Sequence, residues 1–185
     1  MNGIDRIHIN SDWDEPRLNA IKLLEPSADI LYAQIFNDLN FPILSGVNII
    51  NCTKEEAMAR YDYQEGIDVI LHFADGTKAT LQEKYLTTKY STATFTEHQK
   101  NKPGAWYTCT AQYYFVGYAR ETHNGDFSFQ EWALLDLAMV HLASPSLNWR
   151  FGDNKENGYT GIKFRFIQFD EIPDNCITAI YSRYS

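Results

Sequence analysis

The stretch from Gly66 to Leu86 constrains this chain more than any other. Gly66-Ile67-Asp68-Val69-Ile70-Leu71-His72-Phe73 and Lys78-Ala79-Thr80-Leu81-Gln82-Glu83-Lys84-Tyr85-Leu86 both read as β-strands. Asp75-Gly76 between them is a strong short-range hairpin signal. Side chains alternate across a strand, so Asp68, Ile70 and His72 share one face of the first arm. On the second arm Thr80, Gln82, Lys84 and Leu86 share a face, and Leu81, Glu83 and Tyr85 share the other. A Gly-x-Asp that opens one strand and a polar-x-Lys near the end of its partner can bring a carboxylate and an ammonium together. A metal-dependent phosphodiesterase site can be built from that arrangement.

A chain of 185 residues suits a single domain over residues 1–185, large enough to bury most of the surface its unfolded form exposes. No apolar run approaches the roughly 18 residues that a membrane span needs. The opening Met1-Asn2-Gly3-Ile4-Asp5-Arg6 lacks the basic-then-apolar order of a signal peptide. Cys52, Cys109 and Cys176 are odd in number and widely spaced, which argues against a disulfide framework or structural zinc and for a reducing, cytoplasmic setting. The formal net charge is −8, whereas proteins that bind phosphates through released counterions usually carry a basic face. A nuclease is still compatible, because its metal-binding carboxylates count towards that charge and its basic residues can be local. Lys78, Lys84, Lys89, His98, Lys100 and Lys102 gather in or after the hairpin, as a nucleic-acid contact or as a solvated, charge-mixed edge.

Ile4, Ile7, Ile9 and Trp13 suit a short strand or an extended arm. Asp14-Glu15-Pro16 starts a short helix over Arg17–Leu24, and Glu25-Pro26 restarts it, with Ala28, Leu31, Tyr32, Ile35, Phe36 and Leu39 at helical spacing. Glu25 stands at the head of that second helix, either as a cap favoured by the helix dipole or as a carboxylate aimed at a site. Val47–Ile50 reads as a short strand, and Thr53 with Glu56 as a capping box opening a helical turn through Arg60. Thr87–Thr96 continues as strand, and His98–Gly104 is the clearest loop. Trp106–Ala119 reads as a helical first half followed by a strand through Tyr118, and Phe129–Ala143 as a helix buried around most of its circumference. Trp149–Gly161 is a surface loop, Ile162–Phe169 a strand and Ile177–Tyr181 a last short strand. The order predicts an α/β or α+β fold, a mixed central sheet flanked by helices.

Helix-borne Glu25, then Gly66-Ile67-Asp68, then Gln82-Glu83-Lys84 resembles the PD-(D/E)xK nuclease superfamily of restriction endonucleases and Holliday-junction resolvases. The resemblance covers about Glu25 to Leu86 and implies a restriction-endonuclease-like fold. It implies a Mg²⁺- or Mn²⁺-dependent hydrolase that cuts nucleic acid, DNA before RNA, as phage and mobile-element nucleases do. Asp68 would be a metal ligand, Lys84 would orient or activate the attacking water, and Glu25 would be an auxiliary ligand. By the same analogy a homodimer is expected, since cutting two strands takes two sites. The chain departs from the pattern at Gln82, which stands where the family carries Asp or Glu. Some members are similar to it in using Gln there. Glu83 is adjacent but points to the opposite face of an undistorted strand, and only a bulge would bring it to the metal. Gln82 is therefore expected on the site face, with Glu25 or Glu65 making up the negative charge.

Smaller constellations stand beside this one. Gln112 could reach the hairpin, or serve only the core. Tyr107, Tyr113 and Tyr114 could stack on bases, as suits single strands or junctions, or pack the interior. His72 shares Asp68's face without ligands at metal spacing and reads as structural. Nothing resembles a Ser-His-Asp triad, a P-loop or a dinucleotide glycine fingerprint. Two alternatives to the nuclease remain. One is a catalytically decayed module on the same fold, marked by Gln82. The other is an acidic interaction domain whose exposed aromatics meet a protein.

Overall fold

The computed structural model describes residues 15–41, 43–47, 66–86, 91–99, 102–121, 127–153 and 162–181. Helix α1 (Glu15–Asp38) leads into β1 (Ile43–Val47). The hairpin follows as β2 (Val69–Phe73) and β3 (Lys78–Leu86), and then come β4 (Thr92–Gln99), β5 (Lys102–Pro103) and a one-turn helix α2 (Ala105–Thr108). Two long strands, β6 (Tyr113–Glu121) and β7 (Phe127–Asp136), precede α3 (Leu137–Ala143), β8 (Arg150–Asp153), β9 (Ile162–Gln168) and β10 (Ile177–Tyr181). No described helix is long and apolar enough to cross a membrane.

The strands form two sheets. The larger is mixed, in the order β1-β2-β3-β6-β7-β10, with β3 and β6 parallel and every other pair antiparallel. The smaller, β5-β4-β9-β8, is antiparallel throughout. The hairpin expected from Asp75-Gly76 is present, with Val69 opposite Leu81 and His72 opposite Lys78. Gly76 takes φ +85°, a left-handed conformation that suits glycine, and Asp75 Oδ1 accepts from the Thr77 backbone N–H at 2.9 Å to close the turn.

Three layers result. Leu24, Ala28, Tyr32, Ile35 and Phe36 form the buried stripe of α1, and Ala28 to Phe36 lie on Val69, Leu71, Phe73, Leu81, Phe115 and Leu134 of the large sheet. The other face of that sheet, with Tyr114, Val116, Tyr118, Ala133 and Leu135, meets Ala93, Phe95 and Ile167 of the small sheet, with Trp106 of α2 and Val140 of α3. A fully buried carboxylate, Glu131, sits in β7 and accepts from Ser91 Oγ at 2.5 Å.

Several expectations are corrected. One helix of 24 residues runs through Pro26, where two were expected. Pro26 forfeits a backbone bond and crowds the preceding turn, at about 3 kcal/mol. The buried stripe passes it, from Leu24 before the proline to Ala28 after it, and burying Tyr32 and Phe36 alone offsets that cost, at about 1.5–3 kcal/mol each. The helix ends where Asn40 takes φ +62° and the Phe41 N–H reaches the Phe36 carbonyl at 2.7 Å, a left-handed cap.

Phe129–Ala143 is not one helix. It is strand to Asp136 and helix only from Leu137, where the Asp136 side chain caps the Met139 N–H at 3.0 Å. Strand β7 is covered on both faces, so its sequence carries no alternation to separate it from a buried helix. His98 and Gln99 belong to β4 and pair with Pro103 and Lys102, so the expected His98–Gly104 loop is partly sheet. Within Trp149–Gly161, Arg150–Asp153 is strand β8. Strand β1 covers Ile43–Val47, and the remainder of the strand expected over Val47–Ile50 falls outside the described residues. The expectations for residues 1–14, 48–65 and 87–90, Glu65 among them, fall outside the described residues.

Phe115 is the test of this layering. It is fully buried, edge-on to Tyr32 at 5.2 Å and to Phe129 at 5.3 Å. Phe115→Ala should lower unfolding free energy by about 3–5 kcal/mol in urea titration. A loss under about 1 kcal/mol would mean that α1 does not pack on this sheet.

Candidate functional site

The polar cluster begins at the entry to β2. Asp68 immediately precedes the strand, and its backbone N–H already donates to the Leu81 carbonyl at 2.8 Å. Its carboxylate oxygen Oδ2 accepts from Gln82 Nε2 at 2.7 Å and from the Glu83 backbone N–H at 2.6 Å. Charge-assisted bonds of this kind hold a carboxylate in place more firmly than neutral ones. Gln82 and Lys84 are two residues apart on β3 and so share a face. Lys84 Nζ donates to the Thr94 carbonyl of β4 at 3.2 Å, and Tyr114 Oη donates to the same carbonyl at 2.6 Å. The ammonium is therefore tethered at the seam between the two sheets.

Gly66 makes the close approach possible. It has φ +59°, and a Cβ there would stand 2.7 Å from Gln82 Oε1 and 3.1 Å from Cys109 Cα. Its carbonyl accepts from Cys109 Sγ at 3.2 Å, which ties the segment after α2 to the start of β2. Burial, with the Asp68 charge adding to it, pushes the Cys109 thiol up to about 11, so at neutral pH it stays protonated and is no nucleophile. Tyr114 is raised well above its usual value, first by burial and then by Cys109, Tyr118 and Asp68.

Asp68, Gln82 and Lys84 thus gather on one face. Glu83 does not join them: its Oε1 accepts from Tyr32 Oη and Tyr85 Oη, both at 2.7 Å, on the α1 side of the sheet. No bulge interrupts the β3 register there, so alternation sends Glu83 away. Glu25 is half-buried on α1, the helix whose Ala28–Phe36 stripe covers the face of the sheet to which Glu83 points.

Gln112 meets the hairpin by main chain rather than at the cluster. Its Oε1 accepts from the Thr80 N–H at 3.1 Å, and its own N–H donates to Thr80 Oγ1 at 3.0 Å. Tyr113 packs edge-on to Phe36 at 5.6 Å and Tyr114 is buried, whereas Tyr107 is exposed. His72 Nε2 is buried without a hydrogen-bond partner among the described residues, and burial followed by Lys78 lowers the ring's pKa.

Among the described residues no three His, Cys, Asp or Glu side chains converge as an all-protein metal cage would require. The donors present still fit Mg²⁺ of the kind that keeps several waters and takes one or two carboxylates plus substrate phosphate oxygens. Asp68 supplies the carboxylate. Gln82 can turn its amide oxygen towards an ion by rotating a terminal torsion that has two broad orientations. Gly66, Cys109, Tyr114 and the Thr94 carbonyl complete the cluster. Sequence reasoning named Gly66 and Tyr114 without these roles and missed Cys109 and the Thr94 carbonyl, because a backbone acceptor and a core thiol carry no motif. The one available signal was the glycine of Gly-x-Asp. No family model, curated protein or solved structure matches this chain.

Two substitutions test the geometry. Gly66→Ala forces a side chain into left-handed backbone, about 1–2 kcal/mol before the clash with Gln82 is counted, and should lower Tm measurably. Gln82→Glu replaces the amide donor with a carboxylate facing Asp68. In EDTA it should melt below the wild type, and millimolar Mg²⁺ should raise its Tm more than the wild type's. Equal Mg²⁺ responses would show that this face holds no cation.

Proposed function

We propose that this chain is a metal-dependent nuclease that hydrolyses phosphodiester bonds, with DNA as the first candidate substrate. The observation that carries the reading is the convergence of Asp68, Gln82 and Lys84 on one face of the β2–β3 hairpin. Those residues occupy the positions that the PD-(D/E)xK pattern reserves for the metal-binding acid, the second ligand and the lysine. The chain order supports a restriction-endonuclease-like fold as well: a leading helix, then β1, then the strand that Asp68 enters, then its antiparallel neighbour with the lysine.

Asp68 and Gln82 would hold Mg²⁺, which supplies water activation and neutralises charge on the scissile phosphate. Asp68 is fixed for this by the Glu83 N–H, so it is not lost to solvent when Gln82 turns. Lys84, steadied by the Thr94 carbonyl, would present its ammonium to the phosphate oxygens where negative charge develops. Homodimerisation would let two such sites act on the two strands of a duplex.

A second reading draws on one specific observation. Gln82 turns its amide nitrogen, not its oxygen, to Asp68, and Glu83 faces away, so the hairpin supplies a single carboxylate. That would suit a module that binds nucleic acid without cutting it.

Incubation with supercoiled plasmid and with branched DNA, in Mg²⁺ or Mn²⁺, separates the two. The nuclease reading expects cleavage that falls about 100-fold or more in Asp68→Ala and in Lys84→Ala. Cleavage that survives both substitutions would remove the site from this hairpin. Binding without cleavage in either metal would select the second reading.

A further inference from the structure

Strand β4 turns an open edge to the candidate site. Among the described residues β5 pairs with that edge only at His98 and Gln99, while β9 takes the other side of the strand. Between Thr92 and Thr94 the edge meets two tyrosines of β6 instead of a strand. Tyr118 Oη donates to the Thr92 carbonyl at 3.0 Å and accepts from the Thr92 N–H at 3.3 Å. Tyr114 Oη donates to the Thr94 carbonyl at 2.6 Å. Tyr114 and Tyr118 are four residues apart on one strand and share a face, as Thr92 and Thr94 share the direction of their carbonyls. The two phenols supply the partners that a covered strand edge needs and that no neighbouring strand gives it there.

The Thr94 carbonyl also receives Lys84 Nζ, at 3.2 Å. A carbonyl oxygen has two lone pairs and can accept both donors, the phenol here by the shorter bond. The register sets that phenol inside the frame of the site. Across the parallel pair β3–β6, Tyr114 stands beside Gln82 and Val116 beside Lys84. The Tyr114 ring is buried and lies 4.4 Å from Phe95 at an interplanar angle of 31°, so packing fixes it before its hydroxyl is counted. A rigid ring with a short bond sets where the Thr94 carbonyl points. The ammonium of Lys84, on a flexible four-carbon stem, follows that carbonyl.

We propose that Tyr114 is a positioning residue of this site: its hydroxyl aims the Thr94 carbonyl that holds Lys84, and so decides where the ammonium stands. Tyr118 grips the same strand edge at Thr92 and has no part in placing the lysine. The proposal rests on the nuclease reading only for its consequence in cleavage, because the placement of Lys84 is a property of the folded chain. Without the phenol, the Thr94 peptide has no strand on that side to keep its tilt, and the anchor of Lys84 loosens. A reacting group misplaced by about 1 Å can cost about 100-fold in rate.

The reactivity of the Lys84 amine reads its placement without any substrate. Reductive methylation of the full chain, in EDTA and well below each variant's own Tm, is followed peptide by peptide by mass spectrometry, with exposed Lys163 as the internal reference. Tyr114→Phe keeps the ring and removes the hydroxyl alone, and should speed the labelling of Lys84 about threefold or more relative to Lys163, the loss of one hydrogen bond from its anchor. Tyr118→Phe, which cuts the matching bond at Thr92, should leave that ratio unchanged. With supercoiled plasmid in Mg²⁺, Tyr114→Phe should lower kcat about tenfold and leave KM little changed. In a Lys84→Ala background it should cost nothing further, as expected of a residue that acts through the lysine. Unchanged Lys84 labelling in Tyr114→Phe, an equal rise in Tyr118→Phe, or full additivity with Lys84→Ala would overturn the proposal. Faster Lys84 labelling in Tyr114→Phe, in a protein that cuts nothing in either metal, would sink the nuclease reading and leave the positioning role standing. Cleavage that depends on Asp68 and Lys84 but ignores Tyr114 would do the reverse.

Discussion

Coverage of β3 on both faces is the constraint on which the rest of the structure depends. Leu81 is buried against α1, and Glu83 and Tyr85 follow on the same face, with the Tyr32 hydroxyl reaching across to Glu83. Gln82 and Lys84 look the other way, towards β4 and the turn that holds Cys109. A strand with one wet face could slide by a residue at the cost of its inward side chains alone. Here a slip would also send Gln82 into the apolar layer beneath α1 and Leu81 into the polar cluster. The parallel pairing with β6, from Leu81–Tyr113 to Leu86–Tyr118, extends this register into the centre of the large sheet.

The polar cluster is assembled from that register. Asp68 joins the start of β2 to β3 three times, through its own N–H and through two bonds at one carboxylate oxygen. Breaking such an arrangement by removing one partner is costly, since the half-buried group left behind loses its compensation. Lys84 and Tyr114 converge on the single carbonyl of Thr94, so the small sheet is part of the site's frame and not an appendage to it. The same strand, continued to His98, reaches the exposed ring of Tyr107.

The hairpin was legible because its signals are local: alternation over nine residues, and a turn dipeptide whose glycine accepts positive φ. The orientation of Glu83 was legible for the same reason. Strand β7 was not, because Trp132-Ala133-Leu134-Leu135 is apolar on consecutive positions and such a run satisfies either period. Pro26 misled in the opposite direction. A local breaker was read as a boundary, while the stripe from Leu24 to Phe36 overrode it through contacts with strands far away in sequence. The small sheet was the largest omission. Its strands β4 and β9 pair across some 70 residues of chain, as Phe95 does with Arg165, and neither announces its partner.

By itself the sequence determined the hairpin, the face assignments of Asp68, Gln82, Glu83 and Lys84, and the acidic balance against which any basic patch must be judged. Those follow from the two-residue period of a strand and from side-chain chemistry, which need no knowledge of the rest of the chain. Only the tertiary structure decided that α1, the helix that carries Glu25, covers the face of Glu83, and that a backbone carbonyl holds Lys84. It also decided that Tyr107 is mounted outward while Tyr114 is sealed in. These outcomes depend on which layer covers which face. That choice is made by burial summed over the whole molecule and is not recorded at any one position.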